Sequence, residues 1–258
     1  MCVTYEIFGL EIPSYGTLIV IGLLFGLCVS YFLVKKHQPE FASDVVFSFL
    51  YGMIGAGVGG KLLFIIVGLR YLIKAFQIGQ GFKLLGVWIL EGGYVFYGGI
   101  IGAFLMLLIY SRQFKIPLEK ILLYLTPAIP LIHSFGRLGC LAAGCCYGIP
   151  CESFGYQLNH SPIAPAGIKL FPTQLLEAIY CFIIFIVLLI LFNKHKNGYQ
   201  LISVYVFLYS PFRFLIEFMR GDIQRGFIGI FSTSQLISLL LLIIVGISYK
   251  KFKKNRCN

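Results

Sequence analysis

The chain has 258 residues, of which 59% are hydrophobic and 12% charged, and its formal net charge is +11. A soluble globular domain carries about 25% charged residues, so this composition indicates an integral membrane protein and excludes a sizeable soluble domain. The basic residues lie at the ends of apolar stretches, where anionic lipid headgroups bind them. The lipid bilayer is therefore the expected partner, and no nucleic acid is expected.

Seven apolar stretches are long enough to cross a bilayer, since a spanning helix needs about 20 mostly apolar residues. They lie near residues 14–34, 45–68, 92–111, 121–141, 173–192, 199–219 and 231–249. We therefore predict an all-α integral membrane protein with seven transmembrane helices and a polar lipid-binding cavity. The chain shows no internal repeat, so residues 1–258 are expected to form a single transmembrane domain.

Charge in the loops predicts the orientation of the chain. One set of alternate loops, with the C-terminal tail, holds twelve lysine and arginine residues, whereas the opposite side holds seven when Arg137, near the end of the fourth span, is counted. Because positively charged loops stay in the cytoplasm, we predict that the N-terminus lies outside and the C-terminus is cytoplasmic. On the outer side, residues 69–91 carry apolar positions between charges, which is typical of an interfacial element. Residues 142–172 are the predicted rim of an outward-facing mouth.

A polar stripe lies on one face of the sixth span. Tyr209, Arg213 and Glu217 recur at four-residue spacing, which places them on the same side of a helix. Charged residues within a span cost about 2.5–3.5 kcal/mol each on insertion scales, so they usually face a cavity or pair with each other. One interpretation is an Arg213–Glu217 ion pair within the helix. The other is a cavity for an anionic ligand, because guanidinium offers phosphate a bidentate fork.

A glycine-rich segment surrounds a second intramembrane arginine, Arg137. Its glycines are Gly136, Gly139, Gly144 and Gly148. This density of glycine predicts a break in the helix, and non-helical backbone at membrane depth is tolerated only where it lines a cavity or is buried in protein. Close helix packing through small residues is the alternative. Two arginines on different spans favour a phosphorylated ligand and a headgroup site.

The third span opens with two glycine pairs, at positions 92–93 and 98–99, around Tyr94 and Tyr97. Glycine lets the backbone approach a ligand closely. Glycine-rich interfaces between helices are also common in membranes. The segment is therefore compatible with a ligand site and with simple helix packing.

Six short motifs follow one another between residues 13 and 222. They are Tyr15-Gly16, Gly59-Gly60-Lys61, Phe96-Tyr97-Gly98-Gly99, Gly136-Arg137-Leu138-Gly139, Phe171-Pro172-Thr173-Gln174-Leu175-Leu176-Glu177, and Tyr209 with Phe212-Arg213 and Glu217-Phe218. In this order they resemble the prolipoprotein diacylglyceryl transferase family. The resemblance implies a multi-pass protein of the bacterial plasma (inner) membrane. It implies transfer of diacylglyceryl from phosphatidylglycerol to the cysteine of a lipobox-containing lipoprotein precursor.

The resemblance also implies a set of site residues, in which Arg137 binds phosphatidylglycerol and Arg213 is a second functional arginine. The predicted catalytic residues are Tyr97, Cys140, Tyr209, Arg213 and Glu217. The predicted substrate-binding residues are Tyr15, Lys61, Gly98, Gly99, Gly136, Arg137, Gly139 and Gly148. No cofactor and no metal are expected.

The chain departs from the family motif at several positions. Cys140, Ala143 and Cys145 stand where the family has asparagine, asparagine and glutamate, and Tyr97 and Phe171 stand where it has histidine. A divergent member with a different acceptor, and a non-catalytic anionic-lipid transporter or binding protein, are therefore the alternatives.

Four cysteines cluster in the sequence, at positions 140, 145, 146 and 151, with a spacing that matches no recognised zinc pattern. Three roles are compatible with them. They serve a structural or disulfide role, or a thiolate of Cys140 or Cys145 carries the lipid covalently. The third role is that of a membrane thiol oxidoreductase, which would use Cys145–Cys146 or Cys140–Cys151.

Overall fold

The computed structural model describes residues 4–7, 10–90, 93–158, 161, 163–194, 197–222 and 226–257, most of which are helical. The helices are α1 (Ser14–His37), α2 (Ala42–Val67), α3 (Leu69–Gln77), α4 (Gly81–Leu90), α5 (Phe96–Gln113), α6 (Leu118–Leu125), α7 (Ala128–Ala143), α8 (Thr173–Phe192), α9 (Gly198–Ile216) and α10 (Thr233–Cys257). Two 3-10 turns, Pro39–Phe41 and Glu217–Met219, precede α2 and extend α9.

Short antiparallel hairpins fill some of the connections. Their strands are β1 (Thr4–Ile7) with β2 (Leu10–Pro13), β3 (Tyr156–Gln157) with β4 (Lys169–Leu170), and β5 (Phe227–Ile228) with β6 (Phe231–Ser232). In the second hairpin Tyr156 pairs with Leu170, and in the third Phe227 pairs with Ser232. The predicted outer loop 69–91 holds two short helices, α3 and α4, as far as residue 90. Glu91 and Gly92, which belong to the predicted third span and its approach, lie outside the described residues.

Each predicted span contains a helix, which confirms the membrane class. Among the described residues, five helices are long and apolar enough to cross a membrane, or up to six if the bent pair α6 and α7 is one span. The seventh predicted span falls on α10. Its apolar part among the described residues, Thr233–Ile247, is shorter than the helices counted as spans. The count of seven spans therefore stays a prediction.

The helix break that the glycines predicted falls at the third of them, Gly144. Helix α7 continues through Gly136 and Gly139 and ends at Gly144, whose φ of 71° is left-handed. The bend of 47° lies earlier, between α6 and α7, where Pro127 supplies no N–H and disfavours helix in the residue before it. Within an apolar span, a glycine keeps its helical hydrogen bonds because the bilayer offers no replacement.

Residues Leu33–Ile121 form one compact unit, called here the central unit. In it α2 packs on α5 through facing glycines: a Cβ added to Gly59 would meet the Gly98 carbonyl and lie 2.8 Å from the Gly102 Cα. Gly99 lies beside Ala56. These contacts confirm the helix-packing interpretation of the glycine pair at 98–99, and its ligand role stays a prediction.

Lys61 of α2 also has its contacts inside the central unit. Its Nζ donates a hydrogen bond of 3.0 Å to the Trp88 carbonyl of α4. The same ammonium lies 4.5 Å from the centre of the Tyr94 ring, a distance at which the cation and the ring face attract. The intramembrane charge of Lys61 is thus held by a carbonyl and an aromatic face.

We expect Gly59→Ala to destabilise the protein by about 1–3 kcal/mol, because the added methyl group overpacks a contact between two backbones. The measurement is the thermal unfolding midpoint in detergent. Gly57→Ala is the matched control on the same helix, since an added Cβ there meets no atom within 4 Å among the described residues. Equal midpoints for the two variants would contradict the packing described for α2 and α5.

Residues Met1–Phe32 and Leu122–Asn258 form the other compact unit, called here the terminal unit. Helix α7 is fixed to α8 where Ser134 Oγ donates to the Ala178 carbonyl at 2.8 Å. Helix α8 is fixed to α9 by the stacked rings of Tyr180 and Phe212, whose centres are 3.9 Å apart. This packing brings the inner faces of three consecutive helices together. The assignment of residues 1–258 to a single domain stays a prediction.

Candidate functional site

Glu177 of α8 lies between two arginines from the neighbouring helices of the terminal unit. Its Oε1 is 3.1 Å from Nη2 of Arg137 on α7, and its Oε2 is 3.3 Å from Nη1 of Arg213 on α9. The side chains are 3%, 13% and 7% exposed, respectively. Because each carboxylate oxygen faces a different guanidinium, one glutamate fixes the positions of both arginine heads.

The ion pairs continue along the end of α9. Arg213 Nη2 is 2.7 Å from Glu217 Oε2, and the same oxygen is 3.6 Å from Nη1 of Arg220. Arg220 in turn donates to Asp222, with 2.8 Å between Nε and Oδ1. The Arg213–Glu217 pair that the sequence predicted within the helix is therefore present. Positive and negative groups alternate from Arg137 to Asp222, and the six formal charges of this chain of ion pairs cancel.

His133 of α7 adds a neutral imidazole to this network. Its Nε2 accepts a hydrogen bond of 3.4 Å from Nε of Arg137, and its Nδ1 is 3.2 Å from the Tyr205 hydroxyl. A guanidinium N–H can only donate, so the contact assigns the lone pair to Nε2 and the proton to Nδ1. The Tyr209 hydroxyl donates to Glu177 Oε1 at 2.6 Å. Tyr209 thus contacts the carboxylate that pairs with both arginines, and its catalytic role stays a prediction.

Gly148 lies where the turn after α7 passes between two other segments. Its N–H donates to the Phe171 carbonyl at 3.2 Å, and the next N–H, of Ile149, donates to the Met219 carbonyl at 2.9 Å. A Cβ at Gly148 would lie 2.7 Å from the Cβ of Phe171. The position requires glycine because backbone passes backbone there. The hydrogen bonds of Gly148 and Ile149 hold the turn against the end of α9, next to Arg220.

Three of the clustered cysteines meet at this turn. The sulfur atoms of Cys140, Cys145 and Cys146 all lie within 4.8 Å of one another, and each thiol is free. The neighbouring thiols of Cys140 and Cys145, together with the positive charges of Arg137 and Arg220, hold the pKa of Cys146 below its ordinary value. Cys151 is also free, and it does not belong to this group of sulfurs within the described part of the chain.

The terminal unit contains nine of the thirteen predicted site residues. Tyr15 stands at the start of α1 beside Gly139, where an added Cβ would lie 3.0 Å from its ring. A Cβ added to Gly136 would have no atom of the described residues within 4 Å. Arg137, Cys140, Gly148, Tyr209, Arg213 and Glu217 are the other six. Lys61, Tyr97, Gly98 and Gly99 belong to the central unit instead.

Two residues that connect the site, His133 and Glu177, were not among the predicted site residues. A signal for each was present in the sequence. Glu177 is an acidic residue inside an apolar span, which is costly unless the charge is paired. His133 precedes Arg137 by four residues and therefore shares its helix face.

Comparison with known proteins identifies a family that the chain matches. The family model described as prolipoprotein diacylglyceryl transferase matches residues 2–249. A phosphatidylglycerol–prolipoprotein diacylglyceryl transferase of Clostridium tetani is 37% identical over 245 residues, which is 94% of this chain and 94% of the relative. A second, from Clostridium perfringens, is 36% identical over 92% of this chain and 90% of its own length. A third, from Campylobacter hominis, is 31% identical over 98% of this chain and 91% of its own length.

Proposed function

The chain belongs to the prolipoprotein diacylglyceryl transferase family, and we propose that it moves diacylglyceryl from phosphatidylglycerol to the cysteine thiol of a lipoprotein precursor. Two arginines on separate helices, Arg213 buried and Arg137 13% exposed, both paired with Glu177, are the observation that carries this proposal for the chain itself. Such a pair suits a phosphorylated headgroup because each guanidinium presents a planar set of donors.

In this reaction the acceptor sulfur forms a bond to a glycerol carbon while the bond from that carbon to the phosphate oxygen breaks. The leaving group is a glycerol phosphate, whose growing negative charge must be stabilised. Arg137 engages His133 through Nε and Glu177 through Nη2, and its Nη1 has no partner among the described residues. We assign Nη1 of Arg137 to the phosphate. Arg213, oriented by Glu177 and Glu217, supplies the second positive charge.

The acceptor thiol must lose its proton, because the thiolate is the nucleophile. Tyr97, whose position the family resemblance relates to catalysis, lies in the first turn of α5 in the central unit. In the terminal unit the neutral imidazole of His133 is a second proton acceptor to test. Its Nε2 lone pair accepts from Nε of Arg137, so it can take a proton only when that hydrogen bond opens. Tyr15, Gly136, Gly139 and Gly148 are proposed to shape the lipid site around Arg137, and Lys61, Gly98 and Gly99 stay predicted substrate contacts.

The location follows from the same family membership. Several helices are long and apolar enough to cross a membrane, so the chain is a membrane protein. We propose the bacterial plasma (inner) membrane, with the N-terminus outside and the C-terminus in the cytoplasm, because the loops predicted to be cytoplasmic carry the larger number of lysines and arginines.

The test is transfer of labelled lipid in reconstituted vesicles. Purified protein is mixed with vesicles that contain phosphatidylglycerol labelled in its acyl chains and with a peptide that carries a lipobox cysteine. We expect the peptide to gain the mass of one diacylglyceryl group for each glycerol phosphate released.

Two controls separate the alternatives. A peptide with serine in place of the acceptor cysteine should stay unmodified, and vesicles without phosphatidylglycerol should support no transfer. Release of glycerol phosphate without lipidation of the peptide would indicate a different acceptor. Binding or movement of phosphatidylglycerol across the vesicle membrane, with neither product formed, would replace the transferase with a lipid transporter or binding protein.

A further inference from the structure

The turn that follows α7 directs three thiols to one point. Gly144 takes a left-handed conformation with φ of 71°, and Cys146 takes another with φ of 59°. Between them, the N–H of Cys145 donates to the Cys140 carbonyl at 3.1 Å. Two left-handed residues so close together reverse the chain and return the sulfurs of Cys145 and Cys146 toward Cys140 on the last turn of the helix. A left-handed conformation is uncommon for a residue with a side chain, so the surrounding contacts must hold it.

The first turn of α8 supplies those contacts. Gln174 donates from Nε2 to the Cys145 carbonyl at 2.8 Å, and Thr173 donates from Oγ1 to the Cys146 carbonyl, also at 2.8 Å. Gln174 and Thr173 are 1% and 2% exposed. Two buried side chains therefore fix the two peptide groups that carry the thiols. The backbone of two of the three cysteines is therefore in position before any ligand arrives.

The sulfur positions suit one shared metal ion better than a disulfide bond. A metal–thiolate bond of about 2.3 Å places the sulfurs of a three-thiolate site about 3.8–4.0 Å apart. The separations within 4.8 Å in this structure meet that requirement after a small adjustment. All three thiols are free. A disulfide, in contrast, could join only two of them and needs a sulfur–sulfur distance of about 2.05 Å.

The surroundings also suit an anionic metal–thiolate centre. A divalent ion with three thiolates has a net charge of −1, and a monovalent ion has a net charge of −2. Arg137 and Arg220 both act electrostatically on Cys146 with positive charge. Cys140 is buried, whereas Cys145 and Cys146 are partly accessible. An ion can therefore reach the cluster from the side of the turn and be covered on the side of the helix.

We propose that Cys140, Cys145 and Cys146 form a binding site for one thiophilic metal ion, Zn²⁺ or Cu⁺, with three thiolate ligands. Thiolate ligands select these ions over magnesium or calcium. Each thiol releases its proton to the solvent when it coordinates. The bound ion connects the end of α7 to the turn that leads to Gly148. This proposal revises the expectation of no metal, which rested on sequence spacing, and it does not depend on the transferase activity.

Metal binding by the purified protein in detergent tests the proposal. Zn²⁺ is titrated in the presence of a chromophoric chelator, and Cu⁺ is titrated anaerobically against a Cu⁺-specific chelator. We expect one ion per chain in at least one of the two titrations and loss of that binding in Cys140→Ser, Cys145→Ser and Cys146→Ser. Cys28→Ser and Cys151→Ser are matched controls that should keep it, since neither belongs to the cluster. Absence of both ions, or equal binding by all the variants, would overturn the site.

A second measurement on the unmodified protein avoids variants that fail to fold. Alkylation by iodoacetamide, followed by mass spectrometry, reports which thiols react with and without the metal. Bound metal should protect the partly accessible Cys145 and Cys146 and leave Cys151, which lies outside the cluster and outside the helices, reactive, and it should also raise the unfolding midpoint. Equal alkylation with and without metal, or a disulfide within the cluster that persists in reductant, would contradict the proposal.

Discussion

Arg137→Ala is expected to lower the rate of diacylglyceryl transfer by about 100- to 1,000-fold, the range found when one preorganised donor to a developing negative charge is removed. The fold should survive, because Glu177 keeps Arg213 as an ion-pair partner at 3.3 Å. Phosphatidylglycerol binding by the folded variant should also be lost, since the proposed phosphate contact at Nη1 is removed. The measurements are the vesicle transfer assay, lipid binding and the thermal midpoint.

Arg137→Lys is the informative companion variant. Lysine keeps the charge but loses the planar arrangement of donors, so it should recover part of the binding and little of the rate. Undiminished phosphatidylglycerol affinity in Arg137→Ala would remove this arginine from the lipid site. A lowered thermal midpoint with normal specific activity would assign it a purely structural role.

Glu177→Gln should destabilise the protein by about 3–5 kcal/mol, the usual consequence of removing one partner from a buried ion pair. The glutamine keeps the shape of the side chain but leaves the guanidiniums of Arg137 and Arg213 facing each other without the charge between them. Chemical or thermal unfolding in detergent measures the effect. Glu152→Gln is the matched control, because the Glu152 side chain is 91% exposed and 3.9 Å from Lys169. Exposed pairs of that kind contribute little.

A double variant separates charge from packing. Glu177→Gln combined with Arg137→Gln removes one positive and one negative group, so the charge balance around Arg213 and Glu217 is restored. We expect the double variant to be more stable than Glu177→Gln alone. If the stability lost by the double variant equals the sum of the losses in the two single variants, Glu177 acts through packing rather than through its charge.

The membrane elements were predictable because each is encoded locally. Residues 173–192 were predicted as a span, and α8 has those bounds, since an apolar run followed by polar loop residues marks a helix end. The stripe of Tyr209, Arg213 and Glu217 was equally visible, because four-residue spacing defines one helix face. The Arg213–Glu217 pair followed from the same regularity.

Features that depend on contacts between distant segments were not predictable. The position of Glu177 between Arg137 and Arg213 requires three helices to pack at a particular rotation, which no local period specifies. The bend before α7 was not predicted, because the break was expected among the glycines around Arg137, whereas Pro127 lies before that segment. The left-handed conformation of Cys146 is held by Thr173 and Gln174, which are distant in sequence.

The ion pairs also constrain how the protein assembles in the bilayer. Arg213 and Glu217 are neighbours on α9 and can enter the membrane already paired. Glu177 and Arg137 enter on different helices and have no opposite charge within one turn of their own helix. Each is therefore costly until α7 and α8 meet. Apolar helices gain little hydrophobic energy from contact within a bilayer. The cost of leaving Glu177 and Arg137 unpaired therefore favours the association of α7, α8 and α9 and disfavours any arrangement that separates them.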